Sequence, residues 1–201
     1  MSTAAPPSSL IYRPDSILDW LNLEKLFARR QPVEVELGSG DGSFLSQYAK
    51  LRLDRNFIGV ERLLGRLRKL DKKGRRAGLA NLRVVRIEAA YFLDYLLPKK
   101  SIAALHVYFP DPWPKRRHRR KRLINDQFTE SASKILEPGG VVYLRTDDID
   151  YFTQMNQVFR ASPGFQPVET PANLAAIVTD FEREFLARGV QTQRAAFRLQ
   201  S

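Results

Sequence analysis

Val33-Glu-Val-Glu-Leu-Gly-Ser-Gly-Asp-Gly-Ser43 sets the architecture of this 201-residue chain. Val33 to Leu37 reads as a short strand, and Gly38-Ser39-Gly40-Asp41-Gly42 ends it. Glycines tolerate backbone angles that other residues avoid, and they let a ligand approach the main chain. A helix is expected from about Ser43, with its first N–H groups turned toward whatever the turn holds. Strand, glycine turn and helix together open a nucleotide-cofactor fold. The dinucleotide fingerprint needs its third glycine at position 43, which is Ser43 here.

The alternation continues outward. Further strands are expected at Asn56–Val60, Leu82–Ile87, Ile102–Phe109, Val141–Thr146, Phe165–Val168 and Val190–Leu199, seven in all with Val33–Leu37. Helices are expected from Asp15 or Ser16 to about Arg29, through the stretch to Arg76, briefly up to Leu97, over Leu123–Leu136, over Ile149–Ala161 and over Asp180–Arg188. Trp20 is assigned to packing of the first helix, and Pro171 to Thr179 reads as irregular. The fold class is therefore α/β, a seven-stranded, mostly parallel sheet with helices on both faces. Met1 to Pro14 is small, polar and proline-containing, so a mobile tail is expected there, followed by a single domain over residues 15–201.

The chain has no cysteine, which excludes a disulfide framework and thiolate metal sites. With two histidines, no metal site is expected. There is no apolar run of membrane-spanning length and no signal-peptide-like segment, so a cytoplasmic protein is expected. The net charge is +11, and it is concentrated. Lys115 to Arg122 and Arg62 to Arg76 each carry +7, which leaves the rest slightly acidic. Two cationic blocks on such a body are the footprint of a polyanion. In the second block Leu63, Leu64, Leu67 and Leu70 recur at helical spacing, so its charge lies on an outer helix face.

The first block follows an unusual loop. Pro110-Asp111-Pro112-Trp113-Pro114 leaves a strand through three prolines in five residues. Each fixes its own φ and extends the residue before it, so one carboxylate and one indole are presented on a stiff path. The carboxyl edge of an α/β sheet is where ligands bind. A carboxylate, an aromatic ring and a cationic run suit chemistry on a nucleobase. Trp113 either packs the loop or stacks on a base, and His106, inside a strand, reads as a core residue. Other carboxylates close other strands. Glu61 ends the second, where an acid would hold two ribose hydroxyls. Glu36 precedes the glycine turn, where a carboxylate suits a sulfonium better than a pyrophosphate. Together they favour S-adenosylmethionine over a nicotinamide cofactor.

Glu36-Leu-Gly-Ser-Gly-Asp-Gly42, Gly59-Val-Glu61, Phe109-Pro-Asp-Pro-Trp-Pro-Lys115 with His118, Thr146-Asp147 and Thr179-x-Phe-Glu182 occur in this order. The chain thereby resembles the tRNA (guanine-N7-)-methyltransferase family of bacterial type, from about Pro32 to its end. The resemblance implies a class I, Rossmann-like methyltransferase fold that uses S-adenosylmethionine to methylate N7 of the guanine at position 46 in the tRNA variable loop. It assigns Glu36, Gly38, Gly40, Glu61, Glu88 and Asp111 to the cofactor, Glu88 standing where the family usually has Asp or Asn. Lys115, Asp147 and the segment Thr179, Asp180, Phe181 and Glu182 go to the substrate, with Asp111 and Asp147 the catalytic pair. Arg116, Arg117, His118, Arg119, Arg120, Lys121 and Arg122 are expected on RNA phosphates.

The chemistry agrees. Guanine N7 carries an in-plane lone pair and no proton, so catalysis is positioning rather than base chemistry. Fixed carboxylates would favour the charge that moves onto the ring, and one could accept from the N1–H and N2–H2 edge that adenine lacks. Asp147 or Glu182 could make that selection. The expected partner is tRNA, with the protein acting as a monomer or homodimer. A non-catalytic RNA-binding protein on the same fold would have no need of Glu61, Asp111 and Asp147 together. A nicotinamide oxidoreductase would have no use for the basic blocks.

Overall fold

The structure is a computed structural model that describes residues 8–200. The chain forms two compact units, Met1–Pro98 and Lys99–Ser201. In the first, β1 (Ile11–Tyr12), β2 (Val33–Leu37), β3 (Asn56–Val60) and β4 (Leu82–Val85) lie in the order β1-β4-β3-β2, and every pairing is parallel. Residues of β2 and β3 are buried throughout, Glu34 and Glu36 included, so the apolar-acid alternation of β2 marks no solvent face. Helix α2 (Leu45–Leu51) follows β2, α3 (Leu64–Arg76) follows β3, and α4 (Ala89–Tyr91) continues into a π-helical turn, Phe92–Leu96. Helix α3 buries Leu67, Leu70, Asp71 and Gly74.

In the second unit β5 (Ile102–Tyr108), β6 (Leu136–Thr146), β7 (Phe165–Val168) and β8 (Gln193–Leu199) lie in the order β5-β6-β8-β7. Strands β5 and β6 are parallel, while β8 runs antiparallel to both β6 and β7. Helices α5 (Asp126–Ile135), α6 (Ile149–Ala161), α7 (Ala172–Ala175) and α8 (Asp180–Ala187) connect them. Phe159 of α6 stacks on Phe197 of β8 at 4.4 Å and meets Phe165 edge-on at 5.1 Å, an aromatic seam under that sheet.

Several expectations need correction. The strands number eight among the described residues, not seven, because Ile11–Tyr12 pairs with Val84–Val85. The assigned tail is therefore built in from Leu10, whose side chain is fully buried; residues 1–7 lie outside the described residues. Leu10 N donates to Asp71 Oδ1 at 2.7 Å, and a Cβ at Gly74 would sit 2.3 Å from Leu10 Cδ1. The helix expected to Arg29 shrinks to α1 (Leu23–Leu26), capped by Asn22. Upstream of it Ile17, Leu18 and Trp20 are exposed, so Trp20 packs no helix. Helix α5 starts three residues later than expected because Asn125 accepts from Phe128 N and caps it. Pro138-Gly139-Gly140 does not separate helix from strand. It is a bulge inside β6, where Ile102 pairs with Leu136 but Ala104 with Val141.

Replacing Leu10 by alanine removes a side chain fully enclosed against α3 and is expected to cost about 2–4 kcal/mol. Urea unfolding of wild type and variant checks it. A midpoint unchanged by the substitution would mean that this segment does not stabilise the unit.

Candidate functional site

In the first unit the glycine turn is clamped from below. Gly38 N and Ser39 N both donate to Val60 O, at 2.9 and 2.8 Å, so the turn hangs on the end of β3. Gly42 has φ +81°, and any Cβ there would lie 2.1 Å from Leu70 Cδ1 of α3, so no other residue fits. Nothing lies within 4 Å of where a Cβ at Gly38 or Gly40 would point, which leaves open space over the turn. Asp41 is tied back to α3 by Lys73 Nζ at 2.9 Å.

Glu61 links turn and helix. One carboxylate oxygen accepts from Gly40 N at 3.0 Å and the other from Leu63 N at 2.7 Å. A carboxylate has about four lone-pair sites, so two such bonds orient it and leave acceptor capacity for two hydroxyls. Glu36 is buried at the end of β2. Glu88 is exposed and caps α4, accepting from Tyr91 N at 2.8 Å. The first unit's acids assigned to the cofactor thus stand at the carboxyl ends of β2, β3 and beyond β4.

In the second unit Asp111 is exposed in the proline loop. Phe109 and Trp113 adopt φ of 52° and 45°, values that bulky side chains avoid. Arg122 holds that strained path. Its Nε donates to Pro112 O at 2.7 Å, Nη2 to Asp150 Oδ2 at 2.6 Å and Nη1 to Gln154 Oε1 at 2.7 Å. Its guanidinium also lies 4.7 Å over the ring of Tyr151. At 2 % exposure it is no phosphate contact, which corrects its assignment. The run shows how many charges follow Pro114 but not which way each points. Residues 116–121 form a 3₁₀ turn, after which Arg122 faces back into the loop.

The others of the run divide. Arg119 pairs with Asp150 at 3.1 Å, and Lys121 Nζ lies 4.8 Å over Trp113. His118 meets Trp113 edge-on at 5.9 Å, so this indole packs the loop. Lys115, Arg116, Arg117 and Arg120 are exposed, and among the described residues none of them pairs with an acid.

At the end of β6, Asp148 caps α6 by accepting from Tyr151 N at 2.7 Å, so Asp147 is not the helix cap; it stands half-buried beside it. The segment Thr179 to Glu182 is a capping box, with Thr179 N donating to Glu182 Oε2 at 2.9 Å and Glu182 N to Thr179 Oγ1 at 3.1 Å. Glu182 has no exposed surface, and its two oxygens also take Arg145 Nη1 at 2.9 Å and Arg194 Nη2 at 2.7 Å. It cannot read a guanine edge, and Thr179 is buried as well. Of this segment only Asp180, ion-paired with Arg183, and Phe181, 46 % exposed against Phe109, face outward. Sequence reasoning missed Arg145. A lone arginine inside Val-Val-Tyr-Leu-Arg-Thr was the available signal, because a buried charge requires a partner. His106 is fully buried and bonded through Nδ1 to Tyr108 Oη at 2.9 Å, as a core histidine. Among the described residues no group of three or more histidines or acids could hold a metal ion, and no helix is long and apolar enough to cross a membrane.

Residues 30–195 match a family described as a putative methyltransferase. The tRNA (guanine-N(7)-)-methyltransferase of Syntrophotalea carbinolica is 32 % identical over 186 residues, covering 90 % of this chain and 80 % of that protein. The protein of the same name from Chromohalobacter salexigens is 37 % identical over 150 residues, covering 75 % of this chain and 61 % of its own length. Among solved structures, the 16S rRNA methyltransferase KamB superposes with a TM-score of 0.65 at 14 % identity, over 91 % of this chain and 95 % of its own. The precorrin-6y C5,15-methyltransferase of Geobacter metallireducens gives 0.56 at 13 %, over 85 % and 81 %. The structural likenesses carry the fold, that of a class I methyltransferase.

The Arg122 hydrogen bond holds the Asp150 carboxyl below the usual carboxylate range, and burial pushes the Tyr151 hydroxyl up to about 12. A lowered carboxylate stabilises above the ordinary value near 4, and that contribution is lost as pH falls through the folded value. In a Trp20→Phe background, Trp113 fluorescence is expected to change on acidification below about pH 4, as Asp150 protonates and the clamp loosens. Asp150→Asn should show the loosened signal already at neutral pH and flatten that change. Arg122→Ala should cost about 1–3 kcal/mol by leaving Pro112 O and Gln154 without their donor. Identical acid titrations in wild type and Asp150→Asn would show that this pair does not hold the loop.

Proposed function

This chain belongs to the tRNA (guanine-N(7)-)-methyltransferase family, and on that premise we propose that it transfers the methyl group of S-adenosylmethionine to N7 of a guanine in tRNA, at position 46 of the variable loop. The observation that carries the reading is the first unit's glycine turn, open above and flanked by Glu36 and the twice-anchored Glu61. These residues fit the cofactor. Hydrogen-bond acceptors suit ribose hydroxyls, a buried carboxylate suits a cationic centre, and the open turn gives room. When bound, S-adenosylmethionine supplies a methyl group on a positively charged sulfur, which a nitrogen lone pair can take directly. Glu36, Gly38, Gly40, Glu61, Glu88 and Asp111 would hold it.

The chain's own task is then to orient the base and exclude water. Asp147, with the capping role taken by Asp148, keeps its carboxylate for the substrate. It accepts from the N1–H and N2–H2 edge of guanine and, with Asp111, favours the positive charge that grows on the imidazole ring. Glu182 supports it by holding the neighbouring segment rather than by touching the base. Lys115 orients the target nucleotide, and the exposed Arg116, Arg117 and Arg120 hold phosphates, while Arg119 is taken up by Asp150. Of the cofactor residues, Glu36, Gly38, Gly40, Glu61 and Glu88 belong to the first unit and Asp111 to the second.

Mapping N7-methylguanosine on bulk tRNA after incubation with labelled cofactor tests the reading, and absence of label at that nitrogen would defeat it. Two substitutions locate the chemistry. Glu61→Ala should weaken S-adenosylmethionine binding at least tenfold by calorimetry, as expected when hydrogen bonds worth roughly 1.5–3 kcal/mol are lost. An unchanged affinity removes Glu61 from the cofactor.

Asp147→Ala should keep cofactor and tRNA affinity but lose on the order of a hundredfold in single-turnover rate. A 7-deazaguanine at the target should abolish product altogether. Wild-type rates in the Asp147 variant would mean that it handles no charge in the transition state.

A further inference from the structure

A cavity of about 300 Å³ in the first unit has no part in the site described above. It opens where β1 and β4 end side by side, with Tyr12 opposite Val85, and where α3 begins. Three guanidinium groups line it: Arg13 directly after β1, Arg86 directly after β4, and Arg68 one turn into α3 above Leu64. Ile11, Tyr12 and Leu64 supply its apolar wall, and the lining includes no acid.

Several cations of the unit are matched by acids: Arg52 by Asp54, Arg55 by Glu34, Lys73 by Asp41, Arg75 by Asp71. Arg13 and Arg68 have no acidic partner among the described residues, and Arg86 is oriented only by donating to Arg62 O at 3.3 Å. Pro14 restricts Arg13 to an extended backbone, so this guanidinium is presented from a stiff stem. Three like charges around one concavity repel each other, and an anion that enters relieves that repulsion. Planar guanidinium groups match phosphate oxygens in pairs, and an aromatic wall suits the sugar or base beside a phosphate.

We propose that the cavity lined by Arg13, Arg68 and Arg86 binds a phosphodiester of the RNA substrate, outside the target nucleotide, with the ring of Tyr12 against the adjoining nucleoside. This rests on tRNA being the substrate. It gives the basic α3 a purpose separate from the run after Pro114: the run serves the target nucleotide, and the cavity fixes a second point of the same RNA. Two phosphate grips on one chain favour an RNA long enough to meet both over a short strand that bears only the target guanine.

The test compares wild type, Arg13→Gln/Arg68→Gln and Arg13→Glu/Arg68→Glu, all at exposed positions, with thermal melting to confirm folding. Affinity for full tRNA and for a short single-stranded RNA bearing the target guanine is measured by filter binding across a potassium chloride series. The Gln variant is expected to lose about tenfold for full tRNA and the Glu variant more. The slope of log K against log salt should become shallower by roughly one to two units, as for two lost phosphate contacts. Affinity for the short RNA and for S-adenosylmethionine should change by less than twofold. Unchanged tRNA affinity and slope overturn the proposal. So does equal loss on both RNAs, which would mean a general charge effect. Inorganic phosphate and AMP are titrated in parallel. Saturable binding of either that the substitutions abolish, with tRNA affinity intact, would make this a site for free phosphates and overturn the RNA assignment. Failure of the methylation reading would show as wild-type enzyme that binds tRNA but leaves N7 unmodified, and the binding comparison does not depend on that result.

Discussion

Water does not reach Glu182, yet its carboxylate accepts from Thr179 N, Arg145 Nη1 and Arg194 Nη2. Taking an ion out of water costs several kcal/mol, and the loss is recovered only when its lone pairs are filled with good geometry. Here they are, and the filling organises the second unit. Arg145 donates to Leu174 O and Ile177 O and lies 4.4 Å over Tyr108, so one carboxylate ties β5, β6, α7, α8 and β8 together. The end of β6, with Thr146 and Asp147, is thereby held against the segment that leads into α8. Losing either partner would strand a buried charge, so this arrangement tolerates little change.

The first unit uses carboxylates in a similar way at lower stakes. Glu61 takes Gly40 N and Leu63 N, and Asp71 takes Leu10 N and Arg75 Nε. Both acids satisfy backbone donors that a turn or an edge strand would otherwise leave open. The choice has a functional consequence. An acid anchored by backbone N–H groups keeps its orientation before any ligand arrives, and part of the ordering cost of binding is met by folding.

The net charge of +11 is not a uniform coat. Arg122 is consumed by the proline loop and Arg119 is shared with Asp150. Arg116, Arg120, Arg13 and Arg68 have no acidic partner among the described residues. Cations close in sequence therefore do different work, some bracing the protein and some left for a polyanion. The division follows from geometry, because each guanidinium that finds a carbonyl or carboxylate within the fold is no longer available outside it.

Local order determined much of this protein by itself. The strand, glycine turn and helix around Gly38 to Gly42, the stiff path from Pro110 to Pro114 and the amphipathic pattern of α3 are properties of neighbouring residues, and each appears where the residues place it. The acids that end strands were legible for the same reason, since a strand's end is a local event. Tertiary structure alone decided the rest. Arg145 meets Glu182 across 37 residues, Arg122 meets Asp150 across 28, and Leu10 N meets Asp71 across 61. Periodicity says which face of an element is apolar but not which distant atom a buried donor will find. A charge run therefore read as uniform phosphate binders, a capping box as a base reader and an edge strand as a tail, until packing set the direction of each side chain.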